Sequence, residues 1–194
     1  MGGQVDERRT AICEAVLDLA AEGGNRAVTH GAVDRRLELP KGSTSYYYRT
    51  RSDLLRAAIG RLAQRSRAAF DAGLGGRTVD PEAAADLMAG QLDLLLQARR
   101  RDALARYALA PDAAAEGLAE GLATCLFSVP LATDLFRGLG APEPGAAAAD
   151  LVSLLEGLLF DRLYGARSLG PATTEQESLA DLRGPIRRAL NYGP

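Results

Sequence analysis

Residues 29–55 read THGAVDRRLELPKGSTSYYYRTRSDLL, and this stretch decides the fold of the N-terminal part of the chain. Thr29 is a residue type favoured at a helix N-cap, and the apolar residues that follow it are spaced four apart, on one helical face. Pro40 interrupts that helix and suits the first turn of another, where a missing N–H costs nothing. The stretch therefore predicts two short helices joined by a tight turn, the second over residues 41–47.

The second short helix exposes side chains that are poor core material. Small hydroxyls and aromatic rings with a polar end are instead suited to base edges and phosphates. After the helix, Thr50 and Asp53 have the spacing of a capping box in front of a long helical pattern. The outward positions of the short helix are Lys41, Gly42, Ser43, Ser45, Tyr46 and Tyr47.

The run PKGSTSYYYRTRSDLL, residues 40–55, resembles the recognition-helix signature of the TetR/AcrR family of transcriptional repressors. In that family a Gly-Ser/Thr-x-aromatic-Tyr-x-Phe run is followed by a Lys or Arg, an acid and leucines. The resemblance is strong over residues 7–59 and extends over the remainder only in length and helix pattern. Two positions depart from the family. Ser45 stands where a base-contacting Tyr is frequent, and Glu38 replaces a turn Gly, which would more easily take a positive φ.

The resemblance implies DNA-binding roles for residues of both short helices. Tyr46 and Tyr47 match sugar-phosphate contacts, Tyr48 replaces a core Phe, and Arg51 matches a phosphate-binding Lys. Lys41 and its small neighbours face the major groove, and the start of the first short helix offers phosphate contacts. The DNA-binding residues expected are Thr29, His30, Gly31, Lys41, Gly42, Ser43, Ser45, Tyr46, Tyr47 and Arg51.

A hydrophobic content of 47% in 194 residues is enough for a core. Abundant Ala, Leu and Arg and few β-branched residues favour helix throughout. The net charge of −2 is divided unevenly. Residues 1–72 hold 12 basic and 9 acidic side chains, and residues 73–194 hold 11 and 16. We therefore expect an all-α chain of about nine helices. A three-helix helix-turn-helix DNA-binding domain, residues 1–52, would precede a helical bundle for ligand binding and dimerisation, residues 53–194.

Several classes of protein are disfavoured by what the sequence lacks. With one His, two distant Cys and no Gly-rich phosphate loop or metal-ligand spacing, we expect no enzyme, cofactor or metal site. Cys13 and Cys125 lie in apolar helical patterns and are expected to be buried free thiols. No apolar run suggests a signal peptide or a membrane span, so we expect a cytoplasmic protein.

The remaining helices are predicted from apolar spacing and from proline and glycine. Gly73 to Asp80 is expected to be a loop, with Pro81 in the first turn of the next helix. Pro111 is expected to stop a helix and Pro130 to kink one. Cationic residues 99–101 would be favoured by the dipole at a helix C-terminus. The predicted helices are 6–22, 53–72, 81–100, 102–110, 112–138, 147–167 and 174–191.

The helices at 147–167 and 174–191 are the expected homodimer interface. The first is apolar on nearly every side, and an antiparallel pair meeting its symmetry mate would bury both in a four-helix bundle. The alternative is that both helices are buried within the core of a monomer. A dimer is favoured because a two-turn recognition helix touches few bases, whereas two copies would read a palindrome.

The resemblance further implies a small apolar ligand among the helices of the second domain, whose binding changes the spacing of the two DNA-binding heads. For each apolar candidate the alternative is core packing, and for Arg106 and Arg162 it is a structural ion-pair set with Asp161. The kink at Pro130 either opens space for this ligand or merely bends the helix around the core. The candidates are Met88, Leu92, Leu95, Arg106, Tyr107, Phe127, Phe136, Leu158 and Arg162.

The sequence thus predicts a ligand-responsive, homodimeric repressor of the TetR/AcrR type that binds a palindromic double-stranded operator. The alternative is a helical dimer that binds small molecules or proteins and carries a degenerate DNA-binding head. Arg8 and Arg9, at the start of the first helix, are equally consistent with nearness to the DNA backbone and with an ordinary solvated helix end.

Overall fold

A computed structural model describes residues 2–74, 80–171 and 174–191 of the chain. All regular structure in these ranges is helical, which confirms the predicted all-α class. Two short 3-10 turns, Asn25–Ala27 and Ala166–Leu169, accompany the α-helices. The ten α-helices of these ranges are α1 (Gly2–Gly23), α2 (His30–Arg36), α3 (Ser43–Tyr47), α4 (Arg51–Leu74), α5 (Pro81–Leu96), α6 (Arg100–Ala115), α7 (Ala119–Ala123), α8 (Val129–Gly138), α9 (Pro144–Tyr164) and α10 (Glu175–Leu190).

The chain divides into two compact units, and it passes between them three times. Unit 1 comprises Met1–Ser66 and Arg101–Leu126. Unit 2 comprises Arg67–Arg100 and Phe127–Pro194. The domain boundary expected after residue 52 stays a prediction.

Polar caps fix the start of several helices as their short-range sequence signals predict. The Thr29 hydroxyl accepts a hydrogen bond from the Ala32 N–H at 3.1 Å, and Asp80 caps α5 with Pro81 in its first turn. Thr174 and Glu177 form a capping box at α10. At α4 the equivalent pair is Thr50 and Asp53, whose side chains each accept from the other's backbone N–H.

The core of unit 1 joins residues from both of its chain segments. Ile12 and Leu17 of α1, Leu54 and Leu62 of α4, and Leu109 of α6 are all fully buried in one apolar cluster. Burying a leucine-sized side chain contributes about 1.5–3 kcal/mol. The helices of the region expected to bind DNA therefore share one core with α6.

Unit 2 is built from α5, α8, α9 and α10. Packing pairs α5 with α10, α8 with α9, and α9 with both α5 and α10. Leu92, Leu151, Leu159, Leu182 and Ile186 are fully buried there. Apolar stripes on four helices thus close a second core.

The expected kinked helix over 112–138 is wrong, because the chain breaks there instead. The Ser128 hydroxyl caps a new helix, α8, and Pro130 lies in its first turn, where its missing N–H has no intrahelical partner to lose. Just before this break, Leu126 adopts a positive φ of 80°. The extra break brings the number of α-helices in the described ranges to ten.

The expected stop at Pro111 is also wrong. Pro111 lies inside α6, which begins at Arg100 and continues to Ala115, so Asp112 does not start a helix. Leu109 and Ala113, on either side of the proline, are fully buried, and this packing offsets the lost hydrogen bond. Pro185 likewise lies inside α10 without ending it.

Other helix ends differ by a few residues. α1 begins at Gly2, four residues before its predicted start, and α3 begins at Ser43, two residues later than predicted. α4 continues through Leu74, and residues 75–79 of the expected loop lie outside the described residues. Arg101, expected at a helix C-terminus, lies in the first turn of α6.

Cys13 and Cys125 are buried free thiols, as predicted. Burial raises the pKa of both thiols, that of Cys125 to about 11. Both side chains therefore behave as small apolar groups. None of the helices in the described part of the chain combines the length and the apolar character needed to cross a membrane.

Candidate nucleic-acid interface

A buried aspartate holds the turn between α2 and α3. The Asp34 side chain is only 4% exposed, and its carboxylate accepts from the backbone N–H groups of Gly42 and Thr44, each at 2.8 Å. It also accepts from the Thr44 hydroxyl at 2.6 Å. Burial raises the pKa of this carboxyl, but the hydrogen bonds from Thr44 and Gly42 outweigh it and leave the pKa below its usual value. Asp34 thereby sets the start of α3.

The backbone of this turn requires two left-handed residues. Glu38 has φ of 53° and Gly42, the N-cap of α3, has φ of 93°. Glycine takes such values freely, whereas a residue with a side chain pays roughly 1–2 kcal/mol. Glu38 therefore adopts the conformation that suits the family's usual glycine, and the turn forms without a glycine at position 38.

The outer side of α3 exposes the residues expected to reach DNA. Lys41, Gly42 and Ser45 are exposed, and Ser43 is half-buried. Tyr46 is 83% exposed, and its ring lies edge-on to that of Tyr47, with 5.3 Å between centroids. An aromatic ring this exposed on a five-residue helix contributes little to the core and is available to a partner.

The start of α2 lies beside the end of α3. Thr29 is exposed, and His30 and Gly31 are half-buried. The His30 Nε2 atom lies 2.7 Å from the Tyr48 carbonyl oxygen, a hydrogen-bond distance. The single histidine thus ties the two expected phosphate-contacting ends together, a role that its isolated position in the sequence did not indicate.

Tyr48 replaces the family's core Phe and keeps part of that role. Its half-buried ring packs against the core of unit 1, and its hydroxyl lies 3.7 Å from the Cys13 sulfur. Burial and the contact with Cys13 raise the pKa of the phenol. The extra hydroxyl therefore has a partner in α1.

Arg51 is bound within the protein. Its guanidinium donates to the Asp112 carboxylate at 2.6 Å and to the Asn25 carbonyl at 2.8 Å. Asn25 also donates its side-chain amide to the other Asp112 oxygen at 3.1 Å. The residue expected to bind phosphate is thus joined to α6 and to the 3-10 turn that precedes α2.

A second ionic cluster joins α1, α4 and α6. Arg101 donates to Glu14 at 2.6 Å, to Asp18 at 2.8 Å and to the buried Asp102 at 2.9 Å. Arg61 also binds Glu14, at 2.9 Å. Burial raises the pKa of Glu14, but hydrogen bonds from Arg101 and Arg61 outweigh it and lower the pKa to about 2. The cluster keeps Glu14 ionised.

The nine expected ligand-binding residues are divided between the units. Arg106 and Tyr107 lie in unit 1, where the Arg106 guanidinium stacks 5.4 Å from the Tyr107 ring centroid. Arg162, in unit 2, donates to the Leu158 carbonyl at 3.1 Å and to Asp181. Met88 is half-buried, as Leu158 is, whereas four apolar candidates are buried: Leu92, Leu95, Phe127 and Phe136.

A cleft of about 430 Å³ lies in unit 1, between α4 and the segment around α7. None of the nine candidates lines it. Its lining residues are Arg56, Ile59, Gly60, Ala63, Gly117, Leu118, Glu120, Gly121 and Thr124.

The exposed face of α9 carries aromatic rings and small residues toward its C-terminal end. Phe160 and Tyr164 are each 50% exposed, and their ring centroids are 5.4 Å apart. Gly157 and Ser153 continue this face toward the N-terminus of the helix. Small residues beside exposed aromatic rings are the pattern expected where another helix approaches closely.

Three residues in or beside the candidate interface were not singled out from the sequence, namely Asp34, Arg49 and Asp112. Asp34 offers one signal, since it is an isolated acid in the basic run that ends α2, eight residues before Gly42. Arg49 is exposed, two residues after the end of α3. Asp112 offers no local signal, since it lies 61 residues from Arg51.

Comparisons with known proteins agree with this architecture. Residues 79–191 match the family model described as the tetracyclin repressor-like C-terminal domain. The HTH-type transcriptional repressor KstR of Mycolicibacterium smegmatis is 34% identical over 114 residues. That match covers 57% of this chain and 55% of the repressor, so it spans about half of the curated relative's length.

Two solved structures share the fold over nearly the whole chain. The putative transcriptional regulator SCO7518 of Streptomyces coelicolor A3(2) is 28% identical with a TM-score of 0.69, covering 95% of this chain and 99% of that one. A putative TetR-family regulator from Rhodococcus sp. is 24% identical with a TM-score of 0.74, covering 95% and 100%. At this identity, the similarity to the Rhodococcus structure is evidence of a shared fold and of nothing more.

The family's regulators are DNA-binding transcription factors rather than enzymes, and they bind DNA and small-molecule effectors as dimers. The matched C-terminal domain covers more than half of the sequence. The chain therefore belongs to the TetR/AcrR family of transcriptional regulators.

Proposed function

We propose that this protein is a homodimeric repressor that binds a palindromic operator and is released from it by a small, mostly apolar ligand. The observation that carries the proposal is the short helix α3, which exposes hydroxyl and aromatic side chains while Asp34 fixes its start. A rigid, exposed, polar helix beside basic side chains is suited to the major groove. The KstR relative, a repressor, supports the direction of regulation.

The DNA contacts that we propose follow from the resemblance to the family and from side chains that are exposed or half-buried at the start of α2 and along α3. Lys41, Ser43 and Ser45 would reach base edges, and Gly42 permits close backbone approach. Tyr46 and Tyr47, with Thr29, His30 and Gly31, would contact sugar and phosphate. Arg51 would contribute at most indirectly, because its guanidinium binds Asp112. Because the proposed target is double-stranded DNA, we also propose that the protein acts in the cytoplasm.

The test is selection of bound sites from a random duplex pool at near-physiological salt. An enriched inverted repeat, with half-sites one helical turn of DNA apart, about 34–36 Å, is the expected result. Lys41→Ala should change the preferred bases or weaken the enrichment. Arg137→Ala is the matched control, since it removes one exposed cation from α8 in unit 2. A folded dimer that enriches no site would contradict the proposal and favour a helical binding protein with a degenerate head.

We propose that the dimer forms through the helices predicted at 147–167 and 174–191, which are α9 and α10. The exposed rings of Phe160 and Tyr164 support this assignment, because a contiguous apolar surface marks an interaction site. Phe160→Glu should shift the protein from dimer to monomer in sedimentation, whereas Ser153→Ala on the same face should not. A monomeric wild-type protein would contradict the interface.

The proposed ligand would act by differential affinity. It must bind more tightly to the form whose recognition helices do not match the operator. Met88, Leu158 and the buried apolar candidates of unit 2 offer an apolar lining, and Arg162 offers a polar anchor. Arg106 and Tyr107 remain candidates in unit 1. Release of labelled operator by a compound screen checks the proposal, and release that survives Met88→Trp would exclude this lining.

A further inference from the structure

Two arginines follow the recognition helix α3, and they differ in their surroundings. Arg49 is exposed, and in the described part of the chain no side chain pairs with it. The Arg51 side chain is 35% exposed and binds Asp112 at 2.6 Å. Only one of these two cations is available to a phosphate without first losing a protein partner.

The Asp112 carboxylate is positioned by two separate contacts. One oxygen accepts from Arg51 and the other accepts from the Asn25 amide at 3.1 Å. Arg51 also donates to the Asn25 backbone carbonyl at 2.8 Å, so the three residues close a ring of hydrogen bonds. The carboxylate is half-buried, with 24% of its side chain exposed. A charge-assisted contact held from several sides is stronger than a solvated surface pair.

The pairing has an electrostatic consequence for DNA binding. A cation that is paired with a carboxylate adds little net attraction, and the carboxylate itself repels phosphate within a Debye length of about 8 Å. DNA affinity depends on how many phosphates are neutralised by unpaired cations, because each one releases condensed counterions.

We propose that Asp112 withholds Arg51 from the DNA backbone, so that Arg49 supplies the phosphate contact at this end of α3. The inference rests on the proposed DNA-binding function. It names the arginine whose positive charge contacts phosphate and the one whose charge is neutralised within the protein. Asp112, although it touches no DNA, is then a positioning residue that lowers the affinity of the protein for every sequence.

The test measures the dissociation constant on the enriched operator as a function of salt. Each protomer has one such phosphate contact, so Arg49→Ala should lower the slope of log affinity against log salt by about 2 per dimer. Arg51→Ala should leave that slope unchanged. Asp112→Asn keeps the shape of the side chain but removes the negative charge that neutralises Arg51, and it should tighten binding and steepen the slope by up to about 2.

Matched variants separate this role from a structural one. Asp134→Asn changes the net charge equally in α8, where the carboxylate pairs with Arg137, and it should leave the slope unchanged. Thermal unfolding of each variant shows whether it is folded. A purely structural Asp112 would change the unfolding temperature and not the salt slope.

Three outcomes would overturn the inference. One is a slope that falls as much with Arg51→Ala as with Arg49→Ala. Another is an Asp112→Asn variant that is folded but binds operator no more tightly than wild type. The last is a wild-type protein that shows no salt-dependent DNA binding. This result would contradict the proposed function as well as the inference. It can be told apart from a failure of the inference alone because it is seen before any substitution is made.

Discussion

Each unit of this protein contains a buried aspartate that accepts a hydrogen bond from a hydroxyl, and the two differ in what surrounds them. Asp34 in unit 1 accepts from the Thr44 hydroxyl and from two backbone N–H groups, all within ten residues of it. Asp93 in unit 2 accepts from the Ser178 hydroxyl at 2.7 Å, and these residues are 85 positions apart. Both aspartates are less than a tenth exposed.

The difference shows that a buried polar contact can determine the course of the backbone or can merely join two helices. Asp34 binds the backbone itself, so its carboxylate determines where α3 starts and which way its side chains face. Asp93 and Ser178 join α5 and α10, which apolar residues such as Leu92 and Leu182 already hold together. Losing Asp34 should therefore change geometry and function, whereas losing Ser178 should mainly reduce stability.

The largest effect expected is that of Asp34→Ala. It leaves the Thr44 hydroxyl and two backbone N–H groups without their acceptor, and should lower the free energy of unfolding by about 3 kcal/mol. Operator binding should be lost even where the protein is still folded. Urea denaturation and a DNA-binding assay check both results. A folded Asp34→Ala protein with wild-type affinity would break the comparison.

Acid should lower the stability of unit 1, because carboxylates that are ionised in the folded state become protonated. Asp34 has a lowered pKa. Burial raises the pKa of Glu14, but its contacts with Arg101 and Arg61 outweigh burial and lower that pKa from 4.5 to about 2. A group whose pKa is lower in the folded state stabilises above its unfolded pKa and loses that contribution as pH falls. The free energy of unfolding should therefore decline from pH 5 to pH 2. Glu14→Gln should flatten this decline, and an equally steep decline in that variant would argue against the cluster.

Ser178→Ala should have an intermediate effect. It leaves the Asp93 carboxylate without its hydroxyl donor in a buried position, which costs about 1–2 kcal/mol. The affinity for operator should be unchanged in a protein that remains folded. Chemical denaturation beside the Asp34 variant measures the contrast, and a loss of DNA binding without unfolding would show that this contact, too, controls geometry.

The smallest effect expected is that of Glu38→Gly. Glycine relieves the positive φ at this turn but has more freedom in the unfolded chain, and these effects nearly cancel. The stability should rise by no more than about 1 kcal/mol, as measured by thermal unfolding. A loss larger than this would mean that the Glu38 side chain makes a contribution that its exposed position does not indicate.

Short-range signals were the most informative part of the sequence. The cap predicted at Thr29 was found there, with its partner three residues away. The caps at Asp80 and Thr174 have the same spacing, at helix starts that the sequence placed at about these positions. The signal for the start of α8 was also present, since Ser128 precedes Pro130 by two residues. It was misread because the apolar pattern continues across it, and helix periodicity alone does not distinguish a break from a bend.

Long-range pairings could not be read in the same way. The Arg51–Asp112 contact spans 61 residues, and the Arg101–Glu14 contact spans 87. Nothing local distinguishes such an arginine from one that faces solvent or phosphate. The resemblance to the family assigned Arg51 its expected role by position, whereas the contacts made by Asp112 depend on how α6 packs, which only the fold determines.

The shared core of unit 1 also has a consequence for how the protein is made. Leu54 and Leu62 pack in one cluster with Leu109 and Leu122, although the chain leaves this unit after Ser66 and returns at Arg101. At typical synthesis rates the ribosome needs roughly 3–12 s to extend the chain from Ser66 to Leu126. Until then the apolar sides of α1 and α4 lack the part of this core that α6 and α7 supply. A nascent or truncated chain that ends soon after α4 should therefore depend on chaperones, and the N-terminal helices should be poor candidates for expression alone.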